Sequence, residues 1–348
     1  MISERFDGPA RTRPSVMPRS PYNPPIPLGE PTLQLAMMFP GQGSQSVGML
    51  AALAAIDPAV SETFGEASAA LGYDLWALCQ EGPEERLSET AHTQPAMLAA
   101  GIAVWRAWHR RGGARPDVFA GHSLGEYSAL VAAGALDFGS TIALVRFRGE
   151  AMQRAVPAGS GAMAAILGLD DAVIEAACAE ASQGEVVQPV NYNAPGQLVI
   201  AGSAAAVARA IEACKARGAK RAVPLPVSVP SHSALMKPAA EALREKLKAV
   251  EVKTPAVPVR SFDAGVYTDA NSIRDGLYRQ LFSPVRWSAI VAAMTGAGAS
   301  RLYECGPGKV LTGLARRTPG GRDLDLRALE TPESLEAALA SARGDNSS

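Results

Sequence analysis

Apolar and polar positions along the chain alternate between short solid apolar runs and longer stretches with helical spacing. That pattern predicts strands buried on both faces, separated by helices. Leu33 to Phe39 is an apolar run of strand length, stopped by Pro40 and followed by the loop Gly41-Gln42-Gly43-Ser44-Gln45-Ser46. From Met49 to Gly72 the spacing is helical, and Tyr73 to Leu87 breaks into short helical pieces. Thr93 to His109 predicts a strongly apolar helix, closed by basic residues and Gly112-Gly113 as a helix C-terminus should be. Val118 to Gly121 is a second short apolar run. An Ala/Leu-rich helix from Leu124 to about Ala133 comes soon after it, and Gly134 ends that helix. Asp137 can cap the next helix, which carries Thr141 to Gln153.

The pattern then changes character. Met163 to Leu169 reads as a strand and Asp170 to Ser182 as a helix. Val186 to Asn191 and Gln197 to Ala201 are two strands around the turn Asn193-Ala194-Pro195-Gly196. A helix from Ala204 to Arg217 and a strand from Arg221 to Val227 complete the order β-α-β-β-α-β, which is the ferredoxin-like unit. Residues 156–228 are therefore expected to form an inserted small subdomain. A helix from Ala234 to Val250, helical turns around Ser272 to Phe282, a helix from Trp287 to Gly296 and a strand at Arg301 to Glu304 return the chain to the large domain. That domain is expected to comprise residues 31–155 and 229–340, and the fold class is α/β.

Composition narrows the function classes. Of 348 residues, 47% are hydrophobic and 19% charged, as in an ordinary globular protein able to bury a large core. A net charge of −1 makes no general case for nucleic acid or a membrane surface. No run reaches the ~18 to 20 apolar residues that a bilayer span needs. Cys79, Cys178, Cys214 and Cys305 are scattered without a C-x-x-C pair, so neither a metal site nor a disulfide framework is indicated, and a cytoplasmic protein is expected. Residues 1–30 are rich in Pro and Arg and lack an apolar core, so they read as an extension outside the fold and not a signal peptide. Residues 344–348 are expected to fray.

The chemistry gathers at Gly121-His122-Ser123-Leu124-Gly125, a G-x-S-x-G pattern with an apolar run before it and a helix after it. Such a nucleophile elbow sets its serine on a tight strand-to-helix turn, at a helix N-terminus whose free N–H groups favour an oxyanion. A serine hydroxyl needs a base, and only four histidines are available. His122 adjoins the serine and points elsewhere, His109 lies in a basic helix end, and His92 reads as a helix-start residue. His232, in the loop Val229-Pro-Ser-His-Ser233, follows the serine in the order that suits an α/β scaffold. An acid is harder to place. Asp263 and Asp269 come after His232, whereas Asp170, Asp171 and Glu175 belong to the insert, so a backbone carbonyl is the other candidate for holding the imidazole. The loop at Gly41 fits neither the dinucleotide fingerprint nor a P-loop, because Ser46 stands where the first wants Gly and Met49-Leu50 where the second wants Lys-Ser/Thr. Climbing the helix after Ser123 and descending an antiparallel partner, at ~1.5 Å per residue, brings Arg148 level with Ser123 and leaves Arg146 on another face.

Five segments together resemble the malonyl-CoA:acyl-carrier-protein transacylase family of fatty-acid synthesis. They are Phe39-Pro-Gly-Gln-Gly-Ser-Gln45, Gly121-His-Ser-Leu-Gly-Glu-Tyr-Ser-Ala129, Arg148-Gly149, Asn193-Ala-Pro-Gly-Gln197 and Val229-Pro-Ser-His-Ser-Ala-Leu-Met236. The resemblance runs from about residue 34 to 320. It implies an α/β-hydrolase-like large domain with a ferredoxin-like insert, Ser123 as nucleophile, His232 as its base, and Gln42 with the Leu124 N–H as oxyanion hole. It further implies Arg148 as the group that grips the malonyl carboxylate, Gln280 as the residue whose main-chain carbonyl holds the histidine, and Gln94 and Asn193 as pocket residues. Malonyl-CoA is then substrate and acyl carrier protein the partner, with no bound cofactor, no metal, no nucleic acid and no membrane, in a monomer. A transferase serving polyketide synthesis and a serine esterase or thioesterase are the alternatives. Basic residues for an acidic carrier are expected at Lys215, Arg217, Lys220 and Arg221, or at Lys309, Arg316 and Arg317.

Overall fold

The computed structural model describes residues 34–343 apart from Ser228. The extension expected at residues 1–30 and the fraying expected at 344–348 lie outside the described residues. A five-stranded parallel sheet forms the centre, in the order β7-β2-β1-β8-β9. Its strands are β1 (Leu35–Phe39), β2 (Val118–Gly121), β7 (Val259–Arg260), β8 (Arg301–Glu304) and β9 (Asp325–Ala328). A separate four-stranded antiparallel sheet, in the order β4-β5-β3-β6, uses β3 (Gly161–Leu167), β4 (Val187–Ala194), β5 (Gln197–Ser203) and β6 (Arg221–Pro224).

Strand β1 shows why a solid apolar run becomes a central parallel strand. Met37 and Phe39 point into one apolar cluster, with the helix Thr90–Arg110, while Ala36 and Met38 point into another with Trp287 and Leu302. All five residues are buried, so both faces of the sheet are covered. The helix Phe138–Arg154 packs against Thr90–Arg110 and Pro58–Leu71, which fixes the layer that carries Arg148.

The antiparallel sheet has two different faces. Ala164, Ile166, Leu198 and Ile200 pack against the helices Asp171–Ser182 and Ala204–Ala216. Met163, Val199, Leu225 and Val227 face the other way and line a cavity shared with the large sheet. The two sheets are joined where β4 meets the segment after the helix Ala270–Gln280: the Tyr192 N–H donates to Val285 at 2.9 Å and the Val285 N–H to Val190 at 2.9 Å. Among the described residues no helix is long and apolar enough to cross a membrane.

Several boundaries differ from the sequence reading. The helical stretch from Met49 to Gly72 is broken, because Asp57 turns its side chain to the Ala59 N–H and starts a fresh helix at Pro58. The apolar helix starts at Thr90, not Thr93, so His92 lies inside its first turn with Nδ1 3.0 Å from Glu89. The strand β4 runs on to Ala194 through two bulges, absorbing part of the segment read as a turn. Conversely, β6 stops at Pro224, short of Val227. The helices Val310–Ala315 and Pro332–Arg343 and the strands β7 and β9 escaped the reading altogether.

Candidate active site

The turn after β2 is held by close backbone approach. A Cβ on Gly121 would sit 2.0 Å from the Gly125 carbonyl carbon, and one on Gly125 would sit 1.9 Å from the Phe39 oxygen, so a side chain at either position displaces the backbone. Ser123 adopts φ 53°, a left-handed conformation that costs a non-glycine residue on the order of 1 kcal/mol or more. The N–H of His122 donates to Phe39 at 3.0 Å and that of Gly125 to His122 at 2.9 Å, which ties the strained turn to the end of β1. The helix Gly125–Ala132 follows. Leu124 is its N-cap, and among the described residues its N–H has no hydrogen-bond acceptor.

Ser123 Oγ lies 2.7 Å from His232 Nε2. On the far side of the ring, Nδ1 lies 2.7 Å from the main-chain oxygen of Gln280. A carbonyl oxygen can only accept, so Nδ1 carries the proton and Nε2 presents its lone pair to the serine hydroxyl. Gln280 ends its helix, and a last-turn carbonyl has no acceptor duty inside the helix. The negative end of that helix therefore takes the orienting place of an acid. Burial and, after it, the nearby Arg148 charge push the His232 pKa down to about 3, with the Gln280 carbonyl acting in the opposite sense. At neutral pH the imidazole is thus uncharged and able to take a proton.

Arg148 is 1% exposed, carried by the helix Phe138–Arg154. Its Nη1 donates to Gln94 Oε1 at 2.8 Å and its Nη2 to Gln280 Oε1 at 3.0 Å. Each terminal nitrogen keeps a second N–H, the pair of donors that a carboxylate accepts side by side. The guanidinium also stands over the Tyr127 ring, 5.5 Å from its centre. Arg146 goes elsewhere, donating to Glu150 at 3.0 Å and to the Leu71 oxygen at 3.0 Å.

These groups share one cavity of about 310 Å³, lined by Gln42, Gln94, Ser123, Arg148, Asn193 and His232 among others. Gln42 arrives there because Gly41 abuts the elbow, where a Cβ would meet the His122 oxygen at 2.5 Å. The Gln280 side chain lies just behind the cavity. The serine, histidine, arginine and oxyanion candidates are thus brought together, together with Gln94 and Asn193. None of the five acids weighed from sequence is a hydrogen-bond partner of His232. Asp269 caps the helix Ala270–Gln280, Asp263 accepts from Ser261, and Glu175 accepts from Tyr192.

Three features were missed. His122 does not idle: its Nε2 lies 2.9 Å from Asn193 Oδ1, so the elbow is bonded to β4. The Gln280 side chain binds Arg148, Ser123 and Glu126, beyond the main-chain contact. Glu126 is fully buried, and burial raises its pKa to about 7 against the opposing hydrogen bonds from Tyr267 and Gln280. The only signal for it was a lone carboxylate in the first turn of a helix with no other charged residue. The four cysteines are free and buried, and among the described residues no cluster of three or more metal-ligating side chains forms.

A serine hydrogen-bonded to a neutral histidine at a strand-to-helix elbow is a constellation for acyl-group transfer through a serine ester. The chain belongs to the acyl transferase domain family, whose pattern matches residues 37–310. It is 58% identical over 307 residues to the malonyl CoA-acyl carrier protein transacylase of Salmonella typhimurium, covering 88% of this chain and 99% of that protein. Among solved structures, the acyl carrier protein S-malonyltransferase of Vibrio cholerae superposes with a TM-score of 0.85 at 57% identity, over 87% of this chain and 99% of the other. A malonyl-transacylase in complex with its type II PKS acyl-carrier protein superposes with a TM-score of 0.87 at 55% identity, over 88% and 99%.

Proposed function

We propose that this chain moves the malonyl group from malonyl-CoA to the phosphopantetheine thiol of an acyl carrier protein, through a malonyl ester on Ser123. The observation that carries the reading is Arg148, a buried cation with two spare N–H groups in the cavity that holds the serine. A hydrolase of neutral esters has no use for that group. A chain that only bound carrier proteins would need no histidine at 2.7 Å from the serine.

Chemically, Ser123 Oγ attacks the thioester carbon while its proton passes to His232 Nε2. The oxyanion is met by the Leu124 N–H and Gln42, donors of a kind worth about 3 to 4 kcal/mol each. The C–S bond breaks, and the coenzyme A sulfur leaves with the proton from His232. The carrier thiol then gives its proton to His232 and attacks the seryl ester, and Ser123 leaves with the proton returned. No resident cofactor or metal is required, because the thioester supplies the energy. A bound malonyl carboxylate also offsets the Arg148 charge that depresses His232, so the base strengthens when the substrate is in place.

In this reading the five-stranded sheet is the core of an α/β-hydrolase-like domain over residues 31–155 and 229–340. The antiparallel sheet, with its β-α-β-β-α-β order, is a ferredoxin-like subdomain over residues 156–228. The protein works as a cytoplasmic monomer that supplies fatty-acid elongation. A polyketide carrier is the second reading, favoured by the likeness to the malonyl-transacylase seen with a type II PKS carrier. The test is transfer from malonyl-CoA to purified carrier proteins of both kinds, beside acetyl-CoA and methylmalonyl-CoA. Malonyl transfer well above acetyl transfer is expected, and equal rates would reject the reading.

The docking rim is read at Lys309, Arg316 and Arg317. They flank the helix Val310–Ala315, which sends Leu311 and Leu314 into the cavity, and Arg317 donates to the cavity residue Gln197. In the other cluster, Lys215 and Arg217 are already paired with Glu212 and Glu180. Charge reversal at Arg316 and Arg317 is expected to raise the KM for the carrier roughly tenfold, the scale of two weakened ion pairs, and to leave that for malonyl-CoA alone. Steady-state kinetics with each substrate varied in turn checks this.

A further inference from the structure

Glu126 stands three residues past the nucleophile, at 0% exposure, and both its oxygens are engaged. Oε1 accepts from the Tyr267 hydroxyl, and Oε2 accepts from Gln280 Nε2 at 2.7 Å. The same Nε2 donates to the Ser123 carbonyl at 3.0 Å. An amide nitrogen has two N–H groups, and both are now spent. The Gln280 Oε1 must therefore face the other way, where it receives Arg148 Nη2 at 3.0 Å. Flipping the amide would set N–H against guanidinium, and oxygen against both the carboxylate and the Ser123 carbonyl. Every contact would then be donor to donor or acceptor to acceptor, and those to Glu126 and Arg148 lie at full burial, where an unmet polar group costs most. The carboxylate, which makes the shortest of the three contacts, sets this orientation together with the Ser123 carbonyl and Arg148.

We propose that Glu126, held in place by Tyr267, is a positioning residue for substrate choice: it fixes the Gln280 amide so that Gln280 anchors Arg148 in the pose that receives a carboxylate. The proposal rests on the reading of Arg148 given above. Glu126 touches no reacting atom, and its effect passes through Gln280. An uncharged acyl group makes no demand on Arg148, so it provides the internal control that a merely structural role would not separate.

The experiment measures malonyl and acetyl transfer by the full-length wild-type chain and by Glu126→Ala, Glu126→Gln and Tyr267→Phe. Glu126→Ala is expected to raise the KM for malonyl-CoA about tenfold, the scale of one lost hydrogen bond to a charged group, with acetyl transfer held. Glu126→Gln keeps an acceptor for Gln280 and can donate to the Tyr267 oxygen, so it is expected to stay within about twofold of wild type. Tyr267→Phe loosens the carboxylate and is expected to shift the preference about threefold in the same direction as Glu126→Ala; it decides the matter if the alanine variant fails to fold. Overturning results are a folded Glu126→Ala or Tyr267→Phe with wild-type preference, malonyl and acetyl transfer slowed alike, or Glu126→Gln as impaired as Glu126→Ala. A wild-type chain without malonyl preference overturns the reading of Arg148 itself, and the proposal with it.

Discussion

A Ser123→Ala protein incubated with malonyl-CoA is expected to gain no mass, whereas the wild-type chain is expected to gain one malonyl ester. The hydroxyl lies 2.7 Å from a histidine whose lone pair is directed at it, and no other serine has that arrangement among the described residues. Transfer to the carrier is expected to fall by about 10^5-fold, the scale on which a covalent nucleophile contributes with its base. What survives is the contribution of the oxyanion donors and of substrate binding. The fold should be unaffected, because alanine keeps the Cβ and the left-handed turn is held by backbone bonds from His122 and Gly125. Intact mass after incubation, with circular dichroism as the control, checks both statements. An adduct on the alanine variant would reassign the nucleophile.

Removing Arg148 is expected to act on one substrate and not on another. Arg148→Ala should lower kcat/KM for malonyl-CoA by about 10^2 to 10^3-fold, as for truncating one member of a buried charge pair. Acetyl transfer should hold or improve, since acetyl offers the guanidinium no partner. A second consequence concerns pH. The Arg148 charge is one of the causes that lower His232, after burial, so its loss lets the histidine titrate at higher pH. The acid limb of the acetyl rate is therefore expected to move upward, while remaining below the ordinary histidine value because burial persists. Some stability is lost as well, since the buried Gln94 and Gln280 oxygens lose their donor at roughly 1 to 3 kcal/mol apiece before water enters. A thermal melt measures that cost separately from the kinetics. Unchanged selectivity between malonyl and acetyl would remove Arg148 from its assigned role.

Much of this was legible from local pattern. The solid apolar run of β1, the glycines at 121 and 125 and the change to a β-α-β-β-α-β order depend on neighbours in sequence, where sterics and periodicity act directly. Arg148 and Ser123 line one cavity, as counting along two helices joined by a short loop led one to expect. The break at Asp57 was hidden, because a continuous helical pattern does not reveal that one aspartate will cap a new helix and pair with Arg111.

By itself the sequence determined the strained turn, the serine upon it and the candidate base and cation, since each is encoded within a short stretch. Tertiary structure alone decided how they are coupled. The oxygen that orients His232 belongs to a residue 48 positions away, and the side chain of that same residue reaches the Ser123 carbonyl across 157 positions. Periodicity places Gln280 on a helix but cannot say that its carbonyl is the last one, that its amide is buried, or which way the amide faces. Those facts depend on what surrounds it at close packing, where a buried carboxylate, a guanidinium and a strained carbonyl leave one arrangement with every donor facing an acceptor.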